Sequence, residues 1–332
     1  MPVRRASDTG RPGGRSRAWI VAAGAVVAAV LVAVLVLIPR GEEATPAAGR
    51  GLDADLAAAR RTDAAVPAAT TRRFDADRAL RLVRLQLQAG PRPSGSPALE
   101  RVRRSLLARL PRARREAVPG HPGLFNLVGT IPGRRPAIVL AAHYDTQIEP
   151  AGFVGANDSA AGTAVVLEAA RALTGTKRPA GAREVRFVLL DGEELPPGAA
   201  DADFLAQGLR GSKAYAAAHA RKLGAVVVAD YVAGRGLRLP REPGSDEELW
   251  ARVRAAAQRA GVGSVFAGTG RVGIVDDHVP FLQAGVPAVD LIDWDYAYKQ
   301  TAQDTLDRLS ARAIDATGET VVDWLLTERR RR

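Results

Sequence analysis

The chain has 332 residues and a formal net charge of +11, a length that fits one large α/β domain with appendages or two small domains. Most of the charge is terminal: Arg4, Arg5, Arg11, Arg15 and Arg17 against Asp8 supply +4, Arg329 to Arg332 another +4, and the remaining +3 forms no aromatic-laced basic stripe, so nucleic acid is set aside as a partner. Cysteine is absent, which excludes disulfides, thiolate nucleophiles and sulfur-ligated metals; a metal would have to rest on Asp, Glu or one of four histidines, His121, His143, His219 and His278.

Residues 1–17 read as a basic tail. Residues 18–38, AWIVAAGAVVAAVLVAVLVLI, carry no charge. At 1.5 Å per residue they are long enough for the ~30 Å hydrocarbon core of a bilayer. A cleaved signal peptide would have a shorter apolar core, of about 7–15 residues. The five preceding arginines, with Glu42 and Glu43 beyond, place the N-terminus in the cytoplasm and the bulk of the chain outside the cell membrane. Residues 39–72, rich in Ala, Pro, Gly and Arg, lack a sustained apolar face and are expected to be a tether, within which residues 53–61 could form a short helix.

Beyond the tether, FDADRALRLVRLQLQAG offers Asp75 as a helix cap and Gly90-Pro91 as a stop. Ser96-Pro97 starts a second helix with Leu99, Val102, Leu106 and Leu110 on one side. Apolar β-rich runs then appear at 124–131, 137–142, 185–190, 225–229 and 286–292, separated by helical stretches at 160–173, 212–222, 246–260 and 310–326. This alternation predicts an α/β sandwich with a largely parallel sheet, and runs such as AIVLAA and AVVVA predict that both sheet faces are covered.

The residues at the end of each run carry the chemistry. Residues 137–142 end at His143-Tyr144-Asp145, residues 185–190 at Asp191-Gly192-Glu193-Glu194, and residues 225–229 at Asp230; GANDSAAG places Asp158 just before a helix. In open α/β sheets the ligand crevice lies beyond the carboxyl ends of the strands, so these groups are expected to converge. Several carboxylates in one crevice repel and raise one another's pKa unless a cation neutralises them, and one imidazole with several carboxylates suits a borderline divalent metal such as Zn2+.

In that order, AAHYDT, GANDSAAG, VLLDGEEL, VVVADYV and DDHVPFLQAGVPAVDLI resemble the M28 family of zinc exopeptidases, in the branch that contains bacterial glutaminyl-cyclase-like proteins. The resemblance spans residues 73–327, leaving 328–332 as a basic tail, too short to specify nucleic acid, that could touch an anionic envelope polymer. It implies a three-layer α/β/α sandwich with a mixed, mostly parallel sheet, binding a peptide substrate and removing its N-terminal residues with metal-activated water. It further implies that His143 and Asp230 hold one zinc, that Asp158 bridges to a second held by Glu194, that Glu193 is the general base, and that Asp145 fixes the tautomer of His143. In glutaminyl cyclases a similar frame carries a single zinc at the positions of Asp158, Glu194 and a late histidine.

One departure is plain. Where the family has a stretch resembling YPYWHTPADT, this chain has YAYKQTAQDT, Tyr296 to Thr305, so Gln300 stands at the position of the last histidine ligand and Lys299 at that of an aromatic. An amide oxygen is a far poorer donor to zinc than imidazole, and an ammonium beside the site would oppose a cation. One zinc ion rather than two is therefore expected, together with an impaired hydrolase, a glutaminyl-peptide cyclotransferase, or a non-catalytic binding ectodomain as the alternatives. His278 is expected to be a hydrogen-bonded wall residue and Asp277 to reach a substrate amine, whereas His121 and His219 are expected to be exposed. Glu168 and Arg171 read as a solvated helix face, and Ser245 to Glu248 as a helix start.

Overall fold

The apolar runs become six strands, β1 (Arg114–Ala117), β2 (Phe125–Ile131), β3 (Arg134–His143), β4 (Arg183–Leu190), β5 (Leu223–Asp230) and β6 (Ala288–Ile292), in the spatial order β1-β2-β4-β3-β5-β6 of this computed structural model. The structure describes residues 51–331. The expected basic tail 1–17, membrane helix 18–38 and first part of the tether, 39–50, lie outside the described residues; among those described, no helix is long and apolar enough to cross a membrane. Strands β4, β3, β5 and β6 are parallel, and β2 and β1 extend the sheet antiparallel. The short β1, RREA, has no counterpart among the predicted runs: it is mostly exposed, shows no apolar alternation and exists by pairing with β2.

Alternation along the strands sorts side chains to two cores. Ile138, Leu140 and Ala142 of β3 face one way, under helices α1 (Leu52–Ala59), α2 (Ala76–Leu87), α3 (Pro97–Leu107), α4 (Gly162–Thr174), α7 (Glu247–Arg259) and α9 (Ala311–Glu328). Ala137, Val139 and Ala141 face the other way, under α6 (Arg210–His219) and α8 (Val279–Gln283). A short helix, α5 (Phe204–Gln207), precedes α6. The result is the expected three-layer sandwich. The chain leaves β3 through α4 to reach β4 on one side, and leaves β4 through α6 to reach β5 on the other, so the strand order reverses at β3 and a crevice opens beyond its carboxyl end.

The helix starts follow the polar residues read from the sequence. Asp75, Ser96, Asp246 and Ser310 accept from the backbone N–H of Arg78, Leu99, Leu249 and Ala313, capping α2, α3, α7 and α9.

Three expectations are corrected. Residues 51–72 are not a tether: Leu56, Ala59, Val66 and Ala69 are buried in the larger core, and Asp53 and Arg60 pair with Arg84 and Asp77 of α2 at 2.7 Å each. Small alanine side chains gave this stretch little apolar periodicity, yet they pack closely. The described residues fall in one compact unit. Glu168 is wholly buried rather than solvated, because the start of α2 lies across it; it takes Arg78 at 3.2 Å, Arg171, and the Asp75 N–H at 3.2 Å. The C-terminal tail likewise begins inside the fold, where buried Arg329 donates to Thr176 Oγ1 and to the Lys177 carbonyl at 3.1 Å each.

Glu319 fastens the segment before α2 to α9, accepting from the Thr71 hydroxyl at 2.6 Å and from the Phe74 N–H at 2.8 Å. Glu319→Ala would strand the buried Phe74 N–H and the half-buried Thr71 hydroxyl. It is expected to cost about 2 kcal/mol and lower Tm by several degrees in a thermal melt; an unchanged Tm would show that residues 71–74 are not held this way.

Candidate metal centre and active-site cleft

The crevice beyond β3 is a cleft of about 640 Å3. His143, the last residue of β3, reaches its floor. Asp158 comes from a tight turn, Ala156–Ala161, that opens α4; Glu193 and Glu194 follow β4, and Asp230 ends β5. His143, Asp158, Glu193 and Asp230 are buried. The Nε2 of His143 lies 3.2 Å from Asp158 Oδ1 and 3.6 Å from Asp230 Oδ1. Adjacent ligand atoms of a tetrahedral zinc with ~2.0 Å bonds are separated by about 3.3 Å, so this trio fits such an ion. A second grouping, His143 with Glu193 and Glu194, also places one ligand atom of each residue within 4.8 Å of the others. The first is the better-formed centre, since Nε2 is aimed between its two carboxylates, whereas Nδ1 faces Asp145 Oδ1 at 3.6 Å and Glu193 Oε2 at 3.7 Å.

The electrostatics point the same way. Burial, followed by neighbouring carboxylates, holds Glu193 and Glu194 well above the usual carboxylate range. Burial pushes Asp230 up to about 7, with Asp158 adding to the rise against the hydrogen bond from His143. His143 itself is raised, because Glu193, Asp145, Asp158 and Asp230 together outweigh its burial. A divalent cation would relieve this crowding.

Asp145 organises the site. Its Oδ1 accepts from the Glu193 N–H and its Oδ2 from the Glu194 N–H, both at 3.3 Å, and Ser94 Oγ donates to Oδ2 at 2.8 Å. Gly192 makes the approach possible: at φ +75 a Cβ there would come within 2.6 Å of Leu124 Cδ2. Asp191 does not line the cleft, although it shares the Ser94 hydroxyl with Asp145 at 3.3 Å, and burial followed by Asp145 pushes its pKa up to about 6. It turns away to Arg103 at 2.7 Å and to the Phe125 N–H at 2.8 Å, so its charge is met by a guanidinium.

Several contributors were missed in the sequence. Asp304 accepts from the N–H groups of Asn157 and Asp158 at 3.0 Å and from Tyr296 Oη at 2.9 Å, and so sets the turn that carries Asp158. Buried Arg92 donates to the Val154 carbonyl at 2.8 Å in the segment leading to that turn. Tyr231, in the left-handed region at φ +46, donates from its hydroxyl to Asp158 Oδ2, the oxygen not facing His143. Only the Asp-Thr after Gln300 and the Tyr after Asp230 hinted at two of these in the sequence.

The expectation for Asp277 is corrected by one residue: Asp276 lines the cleft, while Asp277 is fully buried behind it, and burial with Asp276 pushes its pKa up to about 8. His278 does not reach the cleft wall as expected: it is fully buried behind the lining, its Nε2 3.2 Å from Glu242 Oε2. His219 is half-buried against Glu116 at 2.9 Å, whereas His121 is exposed. Gln300 does line the cleft, in a left-handed conformation at φ +56. Lys299 turns elsewhere: its Nζ lies 3.4 Å from the ring centroid of Trp294 and donates to the Trp294 carbonyl at 2.9 Å, bracing a residue of the cleft wall. Ile148, Leu195, Phe204, Ile274 and Ile292 complete the apolar wall.

Comparison with known proteins agrees with this architecture. A family model described as "Peptidase family M28" matches residues 126–325. The curated aminopeptidase YwaD of Bacillus subtilis is 28% identical over 205 residues, covering 57% of this chain but 40% of its own length, so the chain spans less than half of that relative. Among solved structures, the glutaminyl cyclase of an Acidobacteriales bacterium is similar with a TM-score of 0.69 at 28% identity, covering 80% of this chain and 99% of its own. The glutaminyl cyclase of Porphyromonas gingivalis is similar with a TM-score of 0.66 at 26% identity, covering 78% and 100%.

Proposed function

For a chain that belongs to peptidase family M28, we propose a membrane-anchored, extracytoplasmic hydrolase that removes N-terminal residues from peptides with a single zinc ion held by His143, Asp158 and Asp230. The observation that carries this reading is His143 Nε2 set between Asp158 Oδ1 and Asp230 Oδ1 with Glu193 alongside. When bound, zinc would supply Lewis acidity and lower the pKa of an attacking water.

The remaining steps belong to the side chains. Glu193 would take the proton of the attacking water and return it to the leaving amine, a transfer suited to a carboxylate whose pKa burial has raised. Glu194 and Asp276 give the cleft acidic groups for the substrate's ammonium, while Trp294, Ile274 and Ile292 form an apolar wall for its first side chain. Asp145 keeps base and imidazole in register.

Two observations favour one ion. Gln300 offers an amide at the position of the last ligand, and the Tyr231 hydroxyl engages the Asp158 oxygen through which a bridge would run. The same pair weighs against cyclisation, which relies on the positions of Asp158, Glu194 and Gln300. The likeness to solved glutaminyl cyclases keeps cyclisation as the second reading.

The test is zinc-loaded protein supplied with matched peptides bearing free or acetylated N-termini. Release of the first residue from the free peptides alone is the expected result. Ammonia release from a glutamine-initiated peptide without cleavage would move the assignment to cyclase, and neither reaction, with peptide still bound, would make this a binding ectodomain.

A further inference from the structure

The edge of the sheet opposite the cleft carries the contrary charge. Arg134 and Arg135 open β3, Lys177 and Arg178 lie in the loop before β4, Arg221 and Lys222 precede β5, and Arg330 and Arg331 follow α9. All but half-buried Arg134 are exposed. The four segments form one surface. Arg134 donates to the Gly181 carbonyl at 2.9 Å and also to that of Arg331, Arg178 donates to the Pro132 carbonyl, and the Arg183 N–H donates to the Arg329 carbonyl at 2.8 Å. Ala137 pairs with Leu223, which brings Arg221 and Lys222 alongside.

The acids within these segments, Glu184 and Glu328, are buried and shared: Glu184 pairs with Arg186 at 2.6 Å and more distantly with Arg135 at 3.8 Å, and Glu328 with Arg183 and Arg252 at 3.3 Å each and with Arg331 at 3.4 Å, so two acids stand against these arginines and the edge keeps a positive excess. At the margin, Glu248 is matched by Arg252 at 3.9 Å. Crowding of like charge is felt by buried Arg183, which burial first and then Arg134, Arg252 and Arg331 hold below the usual guanidinium value against the pull of Glu328.

We propose that this edge is a docking face for an anionic lipid surface, which would hold the acidic cleft at the opposite edge away from the bilayer. Lipid is favoured over nucleic acid because the four segments contain no Phe, Tyr or Trp on which bases could stack. It is favoured over a soluble polyanion because only residues 39–50 separate the uncharged run 18–38 from the described body. Twelve extended residues reach at most about 40 Å, which keeps the face near any membrane that run enters and makes modest attraction sufficient. The ten residues of β3 put the two edges about 30 Å apart, within that reach. The inference does not depend on which reaction the cleft performs.

The test uses residues 49–332, a compact unit with its own core, so that residues 18–38 make no contribution. Sedimentation with phosphatidylcholine vesicles, with and without phosphatidylglycerol, should show binding to the anionic vesicles only, lost at high salt. Replacing Arg135, Arg178, Arg330 and Arg331 by Gln should weaken binding roughly tenfold or more. A control that removes the same charge from exposed Arg81, Arg101, Arg104 and Arg254 should change it less than about twofold. Equal loss in both variants would reduce the effect to net charge and overturn the proposal, as would absence of vesicle binding, including a case in which only soluble polyphosphate is bound. Thermal melts identify a misfolded variant, and the salt dependence of the unsubstituted body tests the face without any substitution.

Discussion

Glu193→Gln is expected to lower kcat for release of an N-terminal residue at least about a hundredfold while leaving zinc content unchanged. The amide keeps the size of the carboxylate and cannot take a proton. Glu193 lines the cleft beside the imidazole, its backbone N–H fixed by Asp145 and its Oε2 3.7 Å from His143 Nδ1, and it is not one of the three groups, His143, Asp158 and Asp230, proposed to hold the ion. Losing the base should therefore not loosen the ion. Steady-state kinetics with metal analysis of the same preparation separates the two effects. A variant that loses zinc along with activity would make Glu193 a ligand, and full activity would remove it from the chemistry.

Gln300→His combined with Tyr231→Phe is expected to raise tightly held zinc from about one equivalent to two. Asp158 has one oxygen toward His143 and the other engaged by the Tyr231 hydroxyl, which burial and nearby carboxylates keep protonated and donating. Removing the hydroxyl frees that oxygen, and the imidazole supplies the donor that zinc prefers to an amide. Gln300→His alone should bind the second ion at least about tenfold more weakly than the double variant, because hydrogen bonding around a metal ligand commonly changes affinity by that much. Metal analysis after dialysis and competition titration would read this; two tight ions in the unsubstituted chain would end the single-ion assignment.

Much of the site was legible because its chemistry sits at strand ends. His143, Asp158, Glu193, Glu194 and Asp230 all follow or precede apolar runs whose boundaries a sequence displays, and a parallel sheet brings such ends together. The supporting groups were hidden for physical reasons. Asp304 and Arg92 act on backbone groups of a turn distant in sequence, which leaves no local pattern. Asp276 and Asp277 are indistinguishable in a dipeptide, since which one faces the cleft depends on how the chain enters α8. Residues 51–72 looked like a linker because alanine is weakly hydrophobic even when buried, and Glu168 looked solvated because only the fold places α2 across it.

The grip of Asp145 on the Glu193 and Glu194 amides has an evolutionary corollary. Reactive groups are registered by β3 and by the first residues after β4, and Arg210, which donates to the Glu194 carbonyl at 2.6 Å, closes the far side of the connection. The span between them, which supplies Leu195, Pro196 and Phe204 to the wall, is thus mechanically decoupled from the catalytic register. Lineages could shorten, lengthen or recompose that span to acquire new diets while inheriting the same chemistry.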